Sequence, residues 1–348
     1  MGQVDMLKEI LRHRAGAPPL AVKADLSGKT VIVVGANTGI GLEAAKHFVN
    51  MNASRVILAC RNEEKGRRAV AAVESATGKK TAELWMIDLA RFSSVVEFAE
   101  KWEKDGGRLD YLVMNAAKAT FTYTKEEGWE STLHVNHLST VLCSLLLLPS
   151  LLKTASEHSV QTRLVVVASG VHYWMDLNES IRQSPSILEK LSEEGVLQGQ
   201  QLYVTSKLLN VLFVRALNAR LPPASPLIVT AIDPGYCDSE LRHEAEDYPP
   251  PSVEHNGERI ELVTITSEEG SRQILYGALG PPGAVEDPSA VDKIKGGYVS
   301  WNEIVEPSDF VLSDAGKESG DRIWDETVQV LNKVTPKVGK IVERYLKA

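Results

Sequence analysis

The run Lys29-Thr30-Val31-Ile32-Val33-Val34 is apolar and β-branched, and it passes without a break into Gly35-Ala36-Asn37-Thr38-Gly39-Ile40-Gly41. A short continuous apolar run of this kind reads as a strand buried on both faces, as in a parallel sheet. Leu42, Ala45 and Phe48-Val49 follow on one side of a helix. Strand, glycine turn and helix, in that order, turn backbone N–H groups and a helix N-terminus toward a pyrophosphate, and the glycines let ligand and neighbouring strand come close. The predicted class is α/β, with a doubly wound, largely parallel sheet. The spacing Gly-x-x-x-Gly-x-Gly departs from the Gly-x-Gly-x-x-Gly of the common dinucleotide fingerprint, so the motif alone also admits a structural turn.

Far downstream, Tyr203 and Lys207 lie four residues apart and so share one face of a helix. An unperturbed phenol, with a pKa of about 10, is a poor proton donor or acceptor at neutral pH. A fixed cation one turn away favours the phenolate and brings the group toward the range where general acid-base catalysis works. Many amphipathic helices contain Tyr-x-x-x-Lys; this pair stands out by its company. An apolar strand, Leu109 to Met114, leads to Asn115-Ala116-Ala117, and an isolated Asn136 follows. Ser169 then ends the strand Arg163 to Ala168, and Pro234-Gly235 follows the strand Pro226 to Ile232.

Glycine loop, Asn-Ala, isolated Asn, Ser, Tyr-x-x-x-Lys and Pro-Gly, in that order over about residues 26–240, resemble the short-chain dehydrogenase/reductase family. The glycine loop and Ala59-Cys60-Arg61-Asn62-Glu63-Glu64-Lys65 are similar to its retinol-dehydrogenase-like branch, and the long tail is similar to fungal members, many of which act in secondary metabolism. The resemblance implies a Rossmann-type fold and a catalytic set of Asn136, Ser169, Tyr203 and Lys207. Ser169 would hold a substrate oxygen, Tyr203 would exchange its proton, Lys207 would lower the phenol's pKa and contact the nicotinamide ribose, and Asn136 would keep a water-linked proton relay. It also implies cofactor contacts from Gly35, Asn37, Thr38, Gly39, Ile40 and Gly41, from Asp88 and Leu89 after the third strand, and from Asn115 and Ala116. Tyr203, Lys207, Pro234, Gly235 and Ser239 complete that set. Ala117 stands where the family usually has Gly, Val34 where it usually has Thr, and Ser239 where it has Thr.

The second strand, Arg55 to Cys60, should finish beside the adenosine ribose, where an acidic residue would hold a free 2′-hydroxyl. The chain instead offers Arg61 and Asn62, with Lys65, Arg67 and Arg68 further on, which favours NADP(H) over NAD(H). Arg67 and Arg68 also read simply as solvating the helix, and Asp88 as a turn or capping residue.

Substrate recognition is expected from about residues 170–200 and 240–268. The first contains His172, Tyr173 and Trp174 and a helical stretch from Ile187 to Leu197; the second, Glu244 to Asn256 with Tyr248-Pro249-Pro250-Pro251, reads as an irregular lid. Aromatics beside Ser169 suit a hydrophobic ketone, aldehyde or alcohol, and equally suit ordinary packing.

At 348 residues the chain shows no repeat or second composition class, so one domain is expected: an arm over 1–24, a catalytic domain over 25–300 and an extension over 301–348. The arm carries a short amphipathic stretch, Val4, Leu7 and Leu11, too polar for a secretory signal. The run Val141 to Leu152 is too short and interrupted to span a membrane and reads as a buried helix at the family's oligomer-prone face. Cys60, Cys143 and Cys237 lack metal-ligand spacing, His134 and His137 read as packing residues, and a reducing, cytoplasmic setting follows, with no metal. A net charge of -8 without basic clusters argues against a nucleic-acid partner. Two rival readings remain: a family-like fold recruited for cyclisation or binding, and a retinoid- or steroid-type dehydrogenase at a lipid surface.

Overall fold

The computed structural model describes residues 16–105, 107–241, 252–255, 258–261, 263–282 and 294–347. In chain order the first half comprises β1 (Thr30–Val34), α1 (Gly39–Asn50), β2 (Arg55–Cys60), α2 (Glu63–Thr77), β3 (Ala82–Met86), α3 (Phe92–Asp105) and β4 (Tyr111–Met114). A small hairpin, β5 (Lys125–Glu126) and β6 (Trp129–Glu130), leads into a π-helical turn, Leu133–Leu138, and then α4 (Ser139–His158). The second half comprises β7 (Thr162–Val167), a 3₁₀ turn (Gly170–Trp174), α5 (Glu179–Arg182), α6 (Ile187–Leu191), α7 (Gln200–Arg220) and β8 (Leu227–Asp233). After it come β9 (Ser252–His255), β10 (Glu258–Glu261), α8 (Ser267–Leu279), β11 (Tyr298–Ser300), β12 (Glu303–Val305), α9 (Asp309–Leu312), α10 (Asp314–Val334) and α11 (Lys337–Tyr345).

Eight strands form one sheet in the order β12-β11-β8-β7-β4-β1-β2-β3, parallel except for β12. Every residue of β1 is buried because the strand is central and covered on both faces. Its side chains alternate accordingly: Ile32 and Val34 enter the core shared with α3, α4 and α7, while Val31 and Val33 enter the one shared with α1 and α8. The expected α/β, Rossmann-like class is thus observed.

Four local expectations change. β8 runs to Asp233, one residue beyond the predicted apolar strand, because pairing with β11 carries the ladder onward: Ile232 faces Val299 and Asp233 faces Ser300. The segment predicted irregular through Asn256 contains β9, which pairs antiparallel with β10; two chain segments beyond the prolines satisfy each other's backbone groups. The helix predicted from Ile187 to Leu197 stops at Leu191. The extension begins inside the sheet, since Trp301 and Asn302, both left-handed, turn the chain from β11 back into β12. The amphipathic stretch from Val4 to Leu11 and the Tyr248-to-Pro251 run lie outside the described residues.

The apolar helical segment Leu133–His158 is the core helix that the sequence suggested, with 78% of its most apolar window buried. α10 and α11 fold back over α4 and α7: Trp324 stacks on Phe213 with centroids 6.2 Å apart, and Val338 and Ile341 are buried.

Candidate active site

The turn after β1 is held by close approach. Gly35 sits at φ +84, and a Cβ there would meet the Ala116 Cα at 2.7 Å; a Cβ on Gly41 would meet the Gly35 carbonyl oxygen at 2.3 Å. The Asn115 side chain donates Nδ2–H to that same oxygen at 2.8 Å. Asn115 and Ala116 therefore meet the glycine turn. Thr38, at the N-cap of α1, makes no side-chain cap bond, and no acidic residue occupies the first turn of the helix. The first N–H groups of a helix have no intrahelical acceptor, so Gly39, Ile40 and Gly41 present donors and a positive helix end that fit a phosphate. Ser239 lies against this turn: a Cβ on Gly39 would come within 3.5 Å of the Ser239 Cβ.

At the end of β2, Arg61 is exposed and makes no ion pair among the described residues. Asn62 caps α2, its Oδ1 accepting from the Lys65 N–H at 2.8 Å. Lys65 Nζ reaches Glu240 at 3.1 Å, whereas Arg67 and Arg68 pair with Glu63 and Glu64 along the helix surface, the solvating role expected of them. Asp88 is a turn residue: its Oδ1 accepts from the Ala90 N–H and its Oδ2 from Arg91 Nε. Leu89 is buried, and its carbonyl accepts from the Ser139 hydroxyl.

α7 brings Tyr203 and Lys207 to the carboxyl end of β7. Lys207 is buried, its Nζ donating to the Val167 carbonyl at 2.8 Å, two residues before Ser169, and lying 5.5 Å from the Tyr203 ring centroid. Burial pushes the Lys207 ammonium down to about 7. Tyr203 moves the opposite way from the sequence expectation: burial first, then the electrostatics of Asp233 and Cys237, raise the phenol above its ordinary range. The expected lowering by Lys207 is not observed, because burial disfavours the phenolate and the Lys207 amine is turned to the Val167 carbonyl.

Ser169 leaves β7 in extended conformation, φ -174, and its Oγ accepts from the Val171 N–H at 3.3 Å, capping the 3₁₀ turn. Its own hydroxyl hydrogen remains available to donate. Asn136 lies in the π turn, a distortion often found at functional sites. Its Nδ2 donates to the Lys118 carbonyl at 2.8 Å and to Ser206 Oγ at 2.9 Å, and its Oδ1 accepts from the Lys118 N–H at 2.7 Å. Ser206 passes its own hydrogen to the Tyr203 carbonyl at 2.7 Å. Asn136 thus ties the β4 loop to the helix turn carrying Tyr203. Lys118 and Ser206 escaped the sequence reading, although Ser206 lies inside the Tyr-to-Lys motif.

His172 is fully buried; its Nδ1–H donates to the Ser169 carbonyl at 2.8 Å, and its Nε2 accepts the Ser308 N–H at 3.1 Å. That pair of bonds specifies the neutral ring, and burial lowers its pKa to about 4. Tyr173 donates to the Glu306 carbonyl and packs edge-on against Tyr298. His172 and Tyr173 therefore brace the site rather than line it. His134 packs on Phe92 and His137 contacts Thr327 Oγ1, both as packing residues. Pro234 and Gly235 turn the chain after β8, Gly235 at φ +79 with its N–H donated to Asp233 Oδ1.

The family model described as short chain dehydrogenase matches residues 29–174. The chain is 32% identical over 317 residues to the short chain dehydrogenase/reductase dmxR8 of Cryptosporiopsis sp., covering 90% of this chain and 93% of that one. It is 35% identical over 279 residues to the short chain dehydrogenase sol3 of Alternaria solani, covering 79% and 94%. Among solved structures, a short-chain type dehydrogenase/reductase from Mycobacterium marinum shares the fold, with a TM-score of 0.56 over 73% of this chain and 89% of that one, at 19% identity.

Proposed function

We propose that this chain, which belongs to the short-chain dehydrogenase/reductase family of oxidoreductases, reduces a hydrophobic ketone or aldehyde to an alcohol, or runs the reverse, with NADP(H). The observation that carries the reading is the convergence of Tyr203, Lys207 and Ser169 at the end of β7, where the Lys207 Nζ is anchored on the Val167 carbonyl. The cofactor, when bound, supplies or accepts the hydride. Gly39, Ile40 and Gly41 would hold its pyrophosphate through backbone N–H groups, and Asn115, Pro234, Gly235 and Ser239 would lie along it. Arg61 and Lys65, near the end of β2, supply the positive charge that a 2′-phosphate needs and a free 2′-hydroxyl does not.

Carbonyl reduction leaves negative charge on oxygen. The Ser169 hydroxyl donates to that oxygen, and Tyr203, kept protonated by its surroundings, gives up its proton to it. Lys207, with a pKa near neutrality, passes between charged and neutral forms and can return a proton toward the phenol. Asn136 and Ser206 fix the backbone of the turn on which Tyr203 stands. The kinship with fungal enzymes favours a polyketide-, terpenoid- or similar secondary-metabolite substrate, and the three buried thiols suit a reducing cytoplasm.

The first test is fluorescence titration with NADPH and NADH. Tight NADPH and weak NADH binding is expected; no binding of either would favour the non-redox reading. Tyr203→Phe is expected to keep the NADPH affinity and to lose turnover by at least about a hundredfold. An unchanged rate would remove Tyr203 from the mechanism.

A further inference from the structure

After the Pro234-Gly235 turn, the segment from Tyr236 to Glu240 runs past the starts of two helices. On one side it is stitched to the entry of α8: the Ile265 N–H donates to the Tyr236 carbonyl and the Asp238 N–H to the Ile265 carbonyl, each at 2.9 Å, and the Ser267 hydroxyl donates to the Asp238 carbonyl at 2.7 Å. Ser239 is thereby set against the start of α1, where a Cβ on Gly39 would come within 3.5 Å of the Ser239 Cβ and 3.8 Å of Ser267 Oγ. The next residue, Glu240, reaches the start of α2, and its Oε2 accepts from Lys65 Nζ at 3.1 Å. Arg67 and Arg68 are paired within α2, with Glu63 and Glu64, but Lys65 is held by a carboxylate from the other half of the chain. Both side chains of this pair are half-exposed and open to a competing anion.

We propose that Glu240 is a specificity-determining residue: its carboxylate occupies the Lys65 ammonium that a cofactor 2′-phosphate would use, and so lowers the affinity for NADPH while leaving that for NADH untouched. This rests on the reading of Arg61 and Lys65 as the 2′-phosphate site. A phosphate monoester carries roughly two negative charges and takes the ammonium from a single carboxylate, but it must break the existing pair and then tolerate the displaced carboxylate nearby. A free 2′-hydroxyl is neutral, so it neither competes for Lys65 nor is repelled by Glu240. The stitching to α8 keeps the competition local: with Ser239 fixed against α1, Glu240 stays within reach of α2 and its effective concentration at Lys65 is high. An exposed ion pair adds little to the stability of the fold, so the pair acts mainly on what binds beside it. Arg61, exposed at the end of β2, supplies the NADPH preference that Glu240 reduces.

The test needs no substrate. Fluorescence titrations with NADPH and with NADH at low ionic strength compare the full chain with Glu240→Gln, Lys65→Gln and the double variant. Glu240→Gln is expected to tighten NADPH about threefold, to leave NADH unchanged, and to lose its advantage in about 0.5 M sodium chloride. In the Lys65→Gln background the Glu240 substitution is expected to give no gain, because the two side chains act through one contact. Unchanged NADPH affinity in Glu240→Gln overturns the proposal. So does an equal change for both cofactors, which would assign Glu240 to the shape of its segment rather than to the phosphate, and so does a gain that survives without Lys65. A protein that prefers NADPH yet ignores Glu240→Gln sinks this proposal alone; one that binds neither cofactor, or prefers NADH in every variant, sinks the NADP(H) reading and this proposal together.

Discussion

The candidate site has two sides, and they are built by different means. On the β1–β2 side the chain presents main chain: a turn of glycines packed on Asn115 and Ala116, an uncapped helix end, and the exposed cation Arg61. On the β7–β8 side it presents side chains, braced from the far end of the sequence. Ser308 holds His172, which holds Ser169; Glu326 on α10 accepts from the Ser186 hydroxyl and from the Ile187 and Leu188 N–H groups; Arg322 reaches the Arg182 and Ser184 carbonyls. A phosphate can be met by backbone geometry that any compatible sequence reproduces, whereas a substrate is met by side chains whose positions need outside support.

Two glycines break this comparison most sharply. Gly41→Ala drives a Cβ onto the Gly35 carbonyl, and Gly316→Ala drives one to 1.7 Å from the Phe310 carbonyl; each is expected to cost about 3 kcal/mol, read by thermal denaturation. Only Gly41→Ala is expected to weaken NADPH, by more than about tenfold, since its strain falls on the phosphate turn. Equal loss of NADPH affinity in Gly316→Ala would show that the two sides are one mechanical unit.

Acid should act through the buried imidazoles. His172 titrates near 6.5 when exposed and at about 4 when folded, so the unfolded chain takes up its proton first. The contribution is intact above pH 6.5 and is lost as pH falls toward 4, on the order of 3 kcal/mol for this group alone, and His134, lowered to about 4 by burial, acts in the same sense. Urea denaturation at several pH values checks this; His172→Phe should flatten part of the slope, and an unchanged slope would show that the imidazole is not held neutral.

Removing Glu326 leaves two partly buried backbone N–H groups and a hydroxyl without this acceptor. Glu326→Ala is expected to cost about 2 kcal/mol while leaving the NADPH affinity unchanged, with Glu326→Gln recovering part of the loss. The smallest effect belongs to the exposed side: Arg61→Asp should weaken NADPH by about tenfold and spare NADH, with stability unchanged within about 0.5 kcal/mol. Equal loss for both cofactors would make Arg61 a support of the fold.

Much of the β1–β2 side was legible in the chain because its determinants are local. β-branched runs fix β1 and β2, and the positions of Gly35, Gly39 and Gly41 fix the turn between β1 and α1 within a dozen residues. The β7–β8 side was legible only as residue identities. Asn62 and Asp88 illustrate the limit from the other direction: both stand where a cofactor contact was expected, and both also serve their own backbone, a cap and a turn that sequence spacing cannot tell from ligand binding.

The sequence by itself determined the order of strands and helices, the glycine turn, and the placing of Tyr203 and Lys207 on one helical face, since each follows from the period of a helix or strand over a few residues. The tertiary structure alone decided that Lys207 points to the Val167 carbonyl, that burial raises the Tyr203 phenol rather than lowering it, and that residues beyond 300 brace Ser169. The reason is physical: direction and charge state depend on burial and on partners brought together across the sheet, and no local periodicity carries either.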